Sequence, residues 1–469
     1  MRRFGLVIAA LLVVAGCGSS DDGSDDSSSS SSASSDSGST GTSSTTGTHG
    51  SSTGHTTTTH GSTGSHSSSS GATTGTSGSS GSTNSTTGTS SSSGSDSGST
   101  DGSDSGSDSG SGSGSGGTTA CSWGMGGGST YPVGADPLSI SSADFNGDGL
   151  PDVVTANVDD NTLSVLLSLP NNGGFKPQTT LTSNNHPFEV EATEIVPGDP
   201  ASIFSLDVAA GVIETLTSDG AGNFTPGQNY SIGLGCLSFH VADIDGDGLP
   251  DLMASTPAPA SLEILWGVGD GGFASDSSSP TRGIGPDTTQ ITVADVNNDG
   301  LPDVLAADGA ENKIQVFLNQ GNRTLAAATT FNTGNRPTSF ALGDFDGDGN
   351  LDIAVVNQSD DDVQILMGDG TGNFSGSTLL SSGRAPQSVA VGDIDLDGNQ
   401  DIVVTVLADS GVALYLGQGN GTFSAPHEYG TGQAPYQVII SDFNGDGNPD
   451  LGTSDTSDND ITVLRGGCY

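Results

Sequence analysis

The sequence predicts an all-β protein: a seven-bladed β-propeller of four-stranded blades, preceded by a disordered stalk. Three observations predict it. An Asp-rich loop recurs along the chain, and the last three intervals between copies are 49 residues each. Short β-branched runs and Gly-rich turns fill the intervals, without helical periodicity. About 100 residues of Ser, Gly, Thr and Asp precede the repeat and offer no apolar pattern that could form a core.

The first aspartate of each loop marks a repeat unit. These residues are Asp144, Asp243, Asp295, Asp344, Asp393 and Asp442. The first interval is about twice as long as the others, which indicates a hidden copy near Glu194. Residues 203–206 and 211–216 suit its strands, and residues 220–224 repeat a Gly-rich turn of the other copies. The sequence therefore predicts seven units, one of them degenerate.

The copy that begins at Asp393 shows the four predicted strands most clearly. The first strand is residues 388–392, and the second, residues 402–407, is the β-branched run expected of a buried strand. The third is residues 412–416. A Gly-rich turn then leads to a last strand that ends near Tyr429.

The two ends of the repeat predict that both termini close one blade. The last copy ends at residues 461–464, after its third strand. Residues 129–134 are predicted to form a fourth strand that belongs to no other copy. Cys121 and Cys468 lie just outside these two strands. We therefore predict a Cys121–Cys468 disulfide, worth on the order of 5 kcal/mol in the chain-entropy description, and a free, buried Cys236. The alternative is that all three thiols are reduced.

Residues 1–16 resemble the signal peptide of a bacterial lipoprotein. Arg2 and Arg3 supply the positive start, an apolar run follows, and the run ends in Val-Ala-Gly before Cys17. The resemblance implies lipidation of Cys17, export, and a position at the outer membrane or cell surface. The alternative is an ordinary secretory signal. Residues 17–120 are then predicted to be a disordered stalk that holds the propeller, residues 121–469, away from the lipid.

The Asp-rich loops have the ligand spacing that calcium needs. In the first loop, Asp144, Asn146, Asp148 and Asp152 place side-chain oxygens at positions 1, 3, 5 and 9, and the carbonyl of Leu150 can serve at position 7. Calcium takes six to eight oxygens in a flexible geometry, whereas magnesium keeps several of its waters. A glycine at position 6 permits the sharp turn. The sequence therefore predicts six calcium sites.

The other five loops repeat this spacing. Their predicted ligands are Asp243, Asp245, Asp247, Leu249 and Asp251; Asp295, Asn297, Asp299, Leu301 and Asp303; Asp344, Asp346, Asp348, Asn350 and Asp352; Asp393, Asp395, Asp397, Asn399 and Asp401; and Asp442, Asn444, Asp446, Asn448 and Asp450. The degenerate copy has Glu194, Val196, Gly198 and Ser202 at the side-chain positions, so no ion is predicted there. An EF-hand is excluded because it needs flanking helices and a glutamate at position 12, where this chain has Thr, Ala or Val.

These units resemble the FG-GAP/VCBS repeat family, which includes the propellers of integrin α-chains. The resemblance rests on the Asp-x-Asp/Asn-x-Asp-Gly-x-x-Asp loops, on the Gly-x-Gly-x-Phe turns and on a proline before the next unit. The turns end at Phe175, Phe224, Phe273, Phe374 and Phe423, and the prolines are Pro187, Pro286, Pro337, Pro386 and Pro435. The resemblance covers about residues 125–468 and implies a seven-bladed propeller with calcium at the blade loops. A turn near Asn322, where Leu325 replaces Phe, departs from the pattern.

Charge and residue types narrow the function classes. The chain has 9 Lys and Arg against 55 Asp and Glu, which argues against nucleic-acid binding because phosphates require basic patches. We expect no enzyme activity, since no catalytic motif is visible. The expected role is non-enzymatic binding or adhesion at the cell surface. The expected partner is an extracellular protein or polysaccharide, and the chain would contact the membrane only through its lipid.

Two other hypotheses stay open. One is a calcium-dependent enzyme acting on polysaccharide, such as a lyase, for which His240 would face the central channel; a histidine satisfied on an inner strand is the simpler interpretation. The other is a purely structural module for assembly with other proteins. Trp266 has apolar neighbours and is expected in the core, so the sequence identifies no aromatic ligand surface.

Overall fold

The computed structural model describes residues 123–170, 173–183, 185–196, 198–257, 259–269, 271–275 and 282–468. The predicted signal peptide, the lipidation at Cys17, the stalk and Cys121 lie outside these residues. The Cys121–Cys468 disulfide therefore stays a prediction. Within the described ranges, no helix has the length and apolar character needed to cross a membrane.

Seven four-stranded antiparallel sheets form the described fold, one for each predicted unit. Blade 1 consists of Pro137–Ala143, Asp152–Asn157, Thr162–Leu166 and Thr179–Thr182; blade 2 of Pro187–Thr193, Ser202–Asp207, Val212–Ser218 and Phe224–Ser231; and blade 3 of Phe239–Ala242, Asp251–Pro257, Ala260–Gly267 and Phe273–Ala274. Blade 4 consists of Thr288–Ala294, Asp303–Asp308, Lys313–Phe317 and Thr329–Asn332; and blade 5 of Pro337–Gly343, Asp352–Asn357, Asp362–Gly368 and Phe374–Ser381. Blade 6 consists of Pro386–Gly392, Asp401–Val406, Gly411–Tyr415 and His427–Gly430; and blade 7 of Pro435–Ser441, Asp450–Asp455, Asp460–Leu464 and Ser129–Pro132.

The fold class and the hidden unit are both confirmed. The degenerate copy near Glu194 forms blade 2. Its second strand contains the predicted residues 203–206, and its third strand begins at Val212, one residue after the predicted start. Two short ribbons add to the blades: Ser168–Leu169 pairs with Gly174–Phe175, and Trp123–Met125 pairs with Gly466–Cys468.

The two ends of the described chain complete blade 7 together, as predicted. Ser129–Pro132 is its fourth strand and pairs with Asp460–Leu464, so that Tyr131 lies opposite Ile461. The terminal ribbon extends this contact and sets Trp123 opposite Cys468. Closure uses backbone groups that would otherwise remain unpaired at a sheet edge.

The core lies between the blades. Second strands such as Asp152–Asn157 and Asp401–Val406 are buried at every position because neighbouring blades cover both of their faces. Strands buried on both faces tend to have continuous apolar runs rather than alternating ones. Between blades 2 and 3, Phe204 packs edge-on against Phe273 in a cluster that includes Cys236. Cys236 is free and buried, and Trp266 is only 3% exposed, as expected.

Candidate metal-binding loops and central channel

The six Asp-rich loops all lie at one edge of the propeller. Each joins the first strand of a blade to its second strand, in blades 1 and 3–7. The loops are short because the two strands are antiparallel neighbours, and each second strand begins at the aspartate of loop position 9. The repeat therefore brings the same donor set to the same place six times.

The position-1 aspartate organises its own loop. In blade 1, Oδ1 of Asp144 accepts the N–H of Gly147 at 2.7 Å, and Oδ2 accepts the N–H of Gly149 at 2.8 Å. Both glycines have positive φ values, 75° and 83°, a conformation that other residues adopt only with strain. Asp243, Asp344 and Asp442 accept the corresponding pairs of N–H groups.

The position-9 aspartate joins the loop to the third strand. In blade 5, Oδ2 of Asp352 accepts the N–H of Phe345 at 2.9 Å, and Oδ1 accepts the N–H of Gly368 at 2.7 Å. Asp352 is fully buried. In all six loops the Oδ1 partner lies sixteen residues further on; these partners are Ser168, Gly267, Asn319, Gly368, Gly417 and Gly466. This contact orients the carboxylate whether or not an ion is bound.

Three of the loops bring carboxylate oxygens together closely enough to hold a metal ion. In each, one oxygen from each of three aspartates lies within 4.8 Å of the others. The clusters are Asp243, Asp245 and Asp251; Asp344, Asp346 and Asp348; and Asp393, Asp395 and Asp401. These are the loops with four aspartates. In blade 6, Oδ1 of Asp393 is buried without a hydrogen-bond partner, which a coordinated cation would satisfy.

Burial makes the position-9 aspartates weaker acids than usual. Burial, reinforced by neighbouring loop carboxylates, raises the pKa of each position-9 aspartate to about 6, against the opposing effect of its hydrogen bonds. The aspartates are Asp152, Asp251, Asp303, Asp352, Asp401 and Asp450. The donors of each loop are carboxylate, amide and carbonyl oxygens, which fit a hard divalent cation such as calcium.

The blade 2 loop has a carboxylate at position 1 that accepts a backbone N–H, but it lacks side-chain ligands at positions 3 and 5. Oε2 of Glu194 accepts the N–H of Gly198 at 2.9 Å, as the position-1 aspartates do elsewhere. Val196 and Gly198 offer no side-chain oxygen at positions 3 and 5. The loop can therefore fold without an ion, consistent with the prediction that none binds there.

Two arginines contact loop carboxylates, which the sequence analysis did not anticipate. Nε of Arg323 lies 2.7 Å from Oδ2 of Asp245 in the blade 3 loop. Nη1 of Arg465 lies 3.0 Å from Oδ2 of Asp450 in the blade 7 loop. The available signal was the departure near Asn322, where a turn glycine is replaced by Arg323.

The first strands of the blades surround a central cavity of about 360 Å³. Between each pair of neighbouring blades, one side-chain oxygen accepts an N–H from the next first strand. The acceptor–donor pairs are Ser139–Val190, Glu189–Phe239, Ser238–Ile291, Gln290–Phe340, Ser339–Val389, Ser388–Val438 and Gln437–Ile140. The seven bonds form a closed ring. They replace the backbone ladder that is missing between blades.

His240 lines this cavity, as the enzyme hypothesis required. Its Nδ1 lies 3.4 Å from Oε2 of Glu191, whose carboxylate also accepts the N–H of Val241 at 3.2 Å. Burial opposes protonation of His240, but the charge and hydrogen bond of Glu191 outweigh it and hold the pKa of His240 above its usual range. When His240 is protonated, the two side chains form an ion pair between neighbouring blades.

The raised pKa of Glu189 predicts that the stability of the protein depends on pH. Burial, with a smaller contribution from the charge of Glu191, raises its pKa to about 8 from 4.5, although Phe239 donates to it. The folded state therefore holds a proton that the unfolded state loses, and this contribution to stability disappears as pH rises from about 4.5 through 8. We expect Glu189→Gln, which stays neutral, to lose less stability than the wild type between pH 5 and pH 8.5 in denaturant unfolding.

The exposed Glu428→Gln is the matched control for Glu189→Gln. It removes one carboxylate without touching the cavity and should keep the wild-type pH dependence. A Glu189→Gln variant whose stability falls with pH as steeply as that of the wild type would contradict the assignment.

Comparisons with known proteins agree with this geometry. A family model for the FG-GAP-like repeat matches residues 243–306, 295–355, 344–404 and 393–453, and a model for the FG-GAP repeat matches residues 137–166. A search of curated proteins found no significant match.

Solved structures with similar folds share little sequence with this chain. The complex of BBS1N with ARL6DN soaked with lead has a TM-score of 0.53 at 14% identity, covering 73% of this chain and 96% of that one. The same complex soaked with mercury has a TM-score of 0.51, with the same identity and coverage. A functionally unknown protein from Desulfotomaculum acetoxidans has a TM-score of 0.50 at 14% identity, covering 66% and 90%. At this identity the likeness concerns the fold alone.

Proposed function

Because the chain belongs to the FG-GAP repeat family, we propose that its propeller is a non-enzymatic binding or adhesion module whose loops are organised by calcium. The observation that carries this proposal is the six-fold repetition of one anionic, all-oxygen donor set at one edge of the ring. A single Asp-rich loop is an ordinary turn. Six in the same register, three of them with clustered carboxylates, are expected of a metal-binding array.

Calcium suits these loops better than magnesium. The loop backbone supplies a carbonyl at position 7, and the side chains at positions 1, 3, 5 and 9 supply oxygens without a rigid octahedron. When bound, calcium would offset the repulsion among three or four carboxylates in each loop. The loops would then present a fixed surface to a partner, because in blades 1 and 3–7 one ion would hold both the first and the second strand.

The remaining parts of the proposal come from the sequence. Lipidation at Cys17 would anchor the exported chain to a membrane, and residues 17–120 would separate the propeller from it. The partner would be an extracellular protein or polysaccharide. We do not propose nucleic acid as a partner, because acidic residues far outnumber basic ones.

The proposal is tested by incubating the purified chain with a panel of polysaccharides and matrix proteins, in calcium, in magnesium and in EDTA. Both retained protein and released soluble product are measured. We expect retention on at least one surface in calcium, loss of retention in EDTA or magnesium, and no released product. Equal retention in calcium and EDTA would contradict a calcium-organised surface, and absence of retention throughout would contradict binding to these partner classes.

A second candidate function is a polysaccharide-active enzyme, favoured by the His240–Glu191 pair in the central cavity. An acid–base pair within a cavity is the minimum that such chemistry requires. Released shortened or unsaturated product in the same experiment would favour this candidate. His240→Ala should then abolish release while leaving calcium-dependent retention in place.

A further inference from the structure

Arg323 occupies a position that is glycine in other blades. The turn before the fourth strand has Gly222, Gly372 or Gly421 at this point, each with a φ near 80°. The N–H of that glycine bonds to the preceding blade's loop, as from Gly421 to the carbonyl of Phe345 at 2.8 Å. In blade 4 the residue is Arg323, with a φ of 59°. A side chain at this position therefore enters the loop of the blade before it.

The side chain of Arg323 is held at that loop by two contacts. Its Nε donates to Oδ2 of Asp245 at 2.7 Å, and its Nη2 lies 3.8 Å from Oδ2 of Asp247. Its guanidinium carbon lies 4.5 Å from the ring centroid of Trp266, a cation–π distance. Asp245 and Asp247 are the predicted ligands at positions 3 and 5. Arg323 thus places a fixed positive charge beside two ligands of the blade 3 site.

Arg465 does the same for blade 7 from a different position. It follows the third strand at a place that is apolar in blades 1 and 3–6, where the residues are Leu167, Trp266, Leu318, Met367 and Leu416. Nη1 of Arg465 donates to Oδ2 of Asp450 at 3.0 Å. In the other five loops the corresponding Oδ2 atom of the position-9 aspartate accepts the backbone N–H of loop position 2.

We propose that Arg323 and Arg465 are tethered cations that partly replace calcium in the loops of blades 3 and 7. The inference rests on the calcium binding proposed above. Each arginine lowers the affinity of its loop for calcium, because it competes for a ligand oxygen and reduces the negative charge that sets affinity. Each also supports its loop in the absence of the ion.

The chain supplies matched loops for comparison. Blades 5 and 6 have four aspartates, as blade 3 does, but among the described residues no arginine forms a salt bridge with their ligands. Blades 1 and 4 are the three-aspartate, one-asparagine counterparts of blade 7. The blade 3 site should therefore bind calcium more weakly than the sites of blades 5 and 6. The blade 7 site should bind it more weakly than those of blades 1 and 4. Calcium would fill the ring in steps.

The test uses the full chain with Arg323→Gln, Arg465→Gln and the control Arg384→Gln. Arg384 is exposed and pairs with Asp409, in a turn at the edge opposite the loops. The melting temperature of each variant is measured in EDTA and in millimolar calcium. We expect the two loop variants to melt lower in EDTA yet to gain more from calcium than the wild type. Arg323→Lys, which keeps the charge, should restore the wild-type response.

Affinity at the blade 3 site can be followed separately with terbium as the calcium probe. Terbium emission excited through Trp266 reports on this loop, because Trp266 contacts Arg323, which contacts Asp245. The part of the emission that is lost in Trp266→Phe is the part that comes from this site. We expect Arg323→Gln to tighten terbium binding roughly fivefold, the effect of one partly screened charge at contact distance.

Two results would overturn this inference but not the proposed calcium binding. In one, calcium raises the melting temperature of the wild type and of the loop variants equally. In the other, the loop variants bind calcium or terbium more weakly than the wild type. The second would make the arginines supports of the ligand geometry. A wild type that shows no response to calcium or terbium would overturn the proposed calcium binding and this inference with it. A variant that only loses packing would melt lower by the same amount in calcium and in EDTA, whereas the proposal expects a larger gain from calcium.

Discussion

Calcium at a hundredfold excess over its dissociation constants is expected to raise the free energy of unfolding by about 16 kcal/mol when all six loops fill, at about 2.7 kcal/mol for each site. The reason is that the folded loops hold their carboxylates together, whereas the unfolded chain does not. Denaturant unfolding in calcium and in EDTA measures the difference. The full value applies if the blades unfold together, and weaker sites in blades 3 and 7 would reduce it at intermediate calcium concentrations.

Magnesium is the control for this measurement. It should stabilise the chain much less at the same concentration, because it gives up its waters reluctantly and prefers a rigid octahedron. Unfolding midpoints that coincide in calcium, magnesium and EDTA would contradict calcium binding by the folded loops.

Asp352→Ala is expected to cost about 4 kcal/mol even in EDTA, because it leaves two buried N–H groups without an acceptor, at about 1–3 kcal/mol each. These are the N–H groups of Phe345 and Gly368, which bond to the two oxygens of Asp352. The control is Asp348→Ala at position 5 of the same loop. Asp348 is exposed, and within the described part of the chain its carboxylate accepts hydrogen bonds only from Asn350. Its loss should therefore cost well under 1 kcal/mol in EDTA.

The pair of variants separates two roles of the loop aspartates. Both should remove the calcium-dependent part of stability at blade 5, but only Asp352→Ala should weaken the chain without calcium. Equal losses in EDTA, measured by denaturant unfolding, would contradict the assignment of position 9 as the residue that joins the loop to the third strand.

The fold could be predicted from the sequence because its determinants are local and repeated. The spacing of the first aspartates gives the number of blades, and the doubled first interval reveals blade 2 around Glu194. The strand left over at residues 129–134 and the incomplete last copy predict closure, which the pairing of Tyr131 with Ile461 confirms. Each of these signals lies within one unit or between identical points of successive units.

Two of the contacts that sequence analysis missed join different blades. The bond from the N–H of Ile140 to Oε1 of Gln437 crosses the closure of the ring, and the contact of Arg323 with Asp245 joins blade 4 to blade 3. Periodicity assigns a residue to a strand but does not show which residue of the next blade it faces. A turn glycine replaced by arginine could have drawn attention to Arg323. Nothing in the spacing distinguishes Gln437 from other polar residues of the first strands.

The position-9 aspartates show why a metal ligand is easier to predict from the sequence than a hydrogen bond within the blade. Sequence spacing marks Asp352 as a ligand, because its distance from Asp344 fits a calcium loop. Its bond to Gly368 depends on how the third strand lies beside the loop. The same residue is thus both a candidate ligand and part of the blade, and only the second role requires the fold to be known.

We propose that the loops of blades 1 and 3–7 hold calcium and that the blade 2 loop does not. X-ray diffraction from crystals of the chain grown in calcium, with anomalous scattering used to locate the ions, tests this proposal. We expect six ions, one at each loop of blades 1 and 3–7, and none at Glu194 in blade 2. Loops that fold as described but hold no ion at saturating calcium, or an ion at the blade 2 loop, would contradict it.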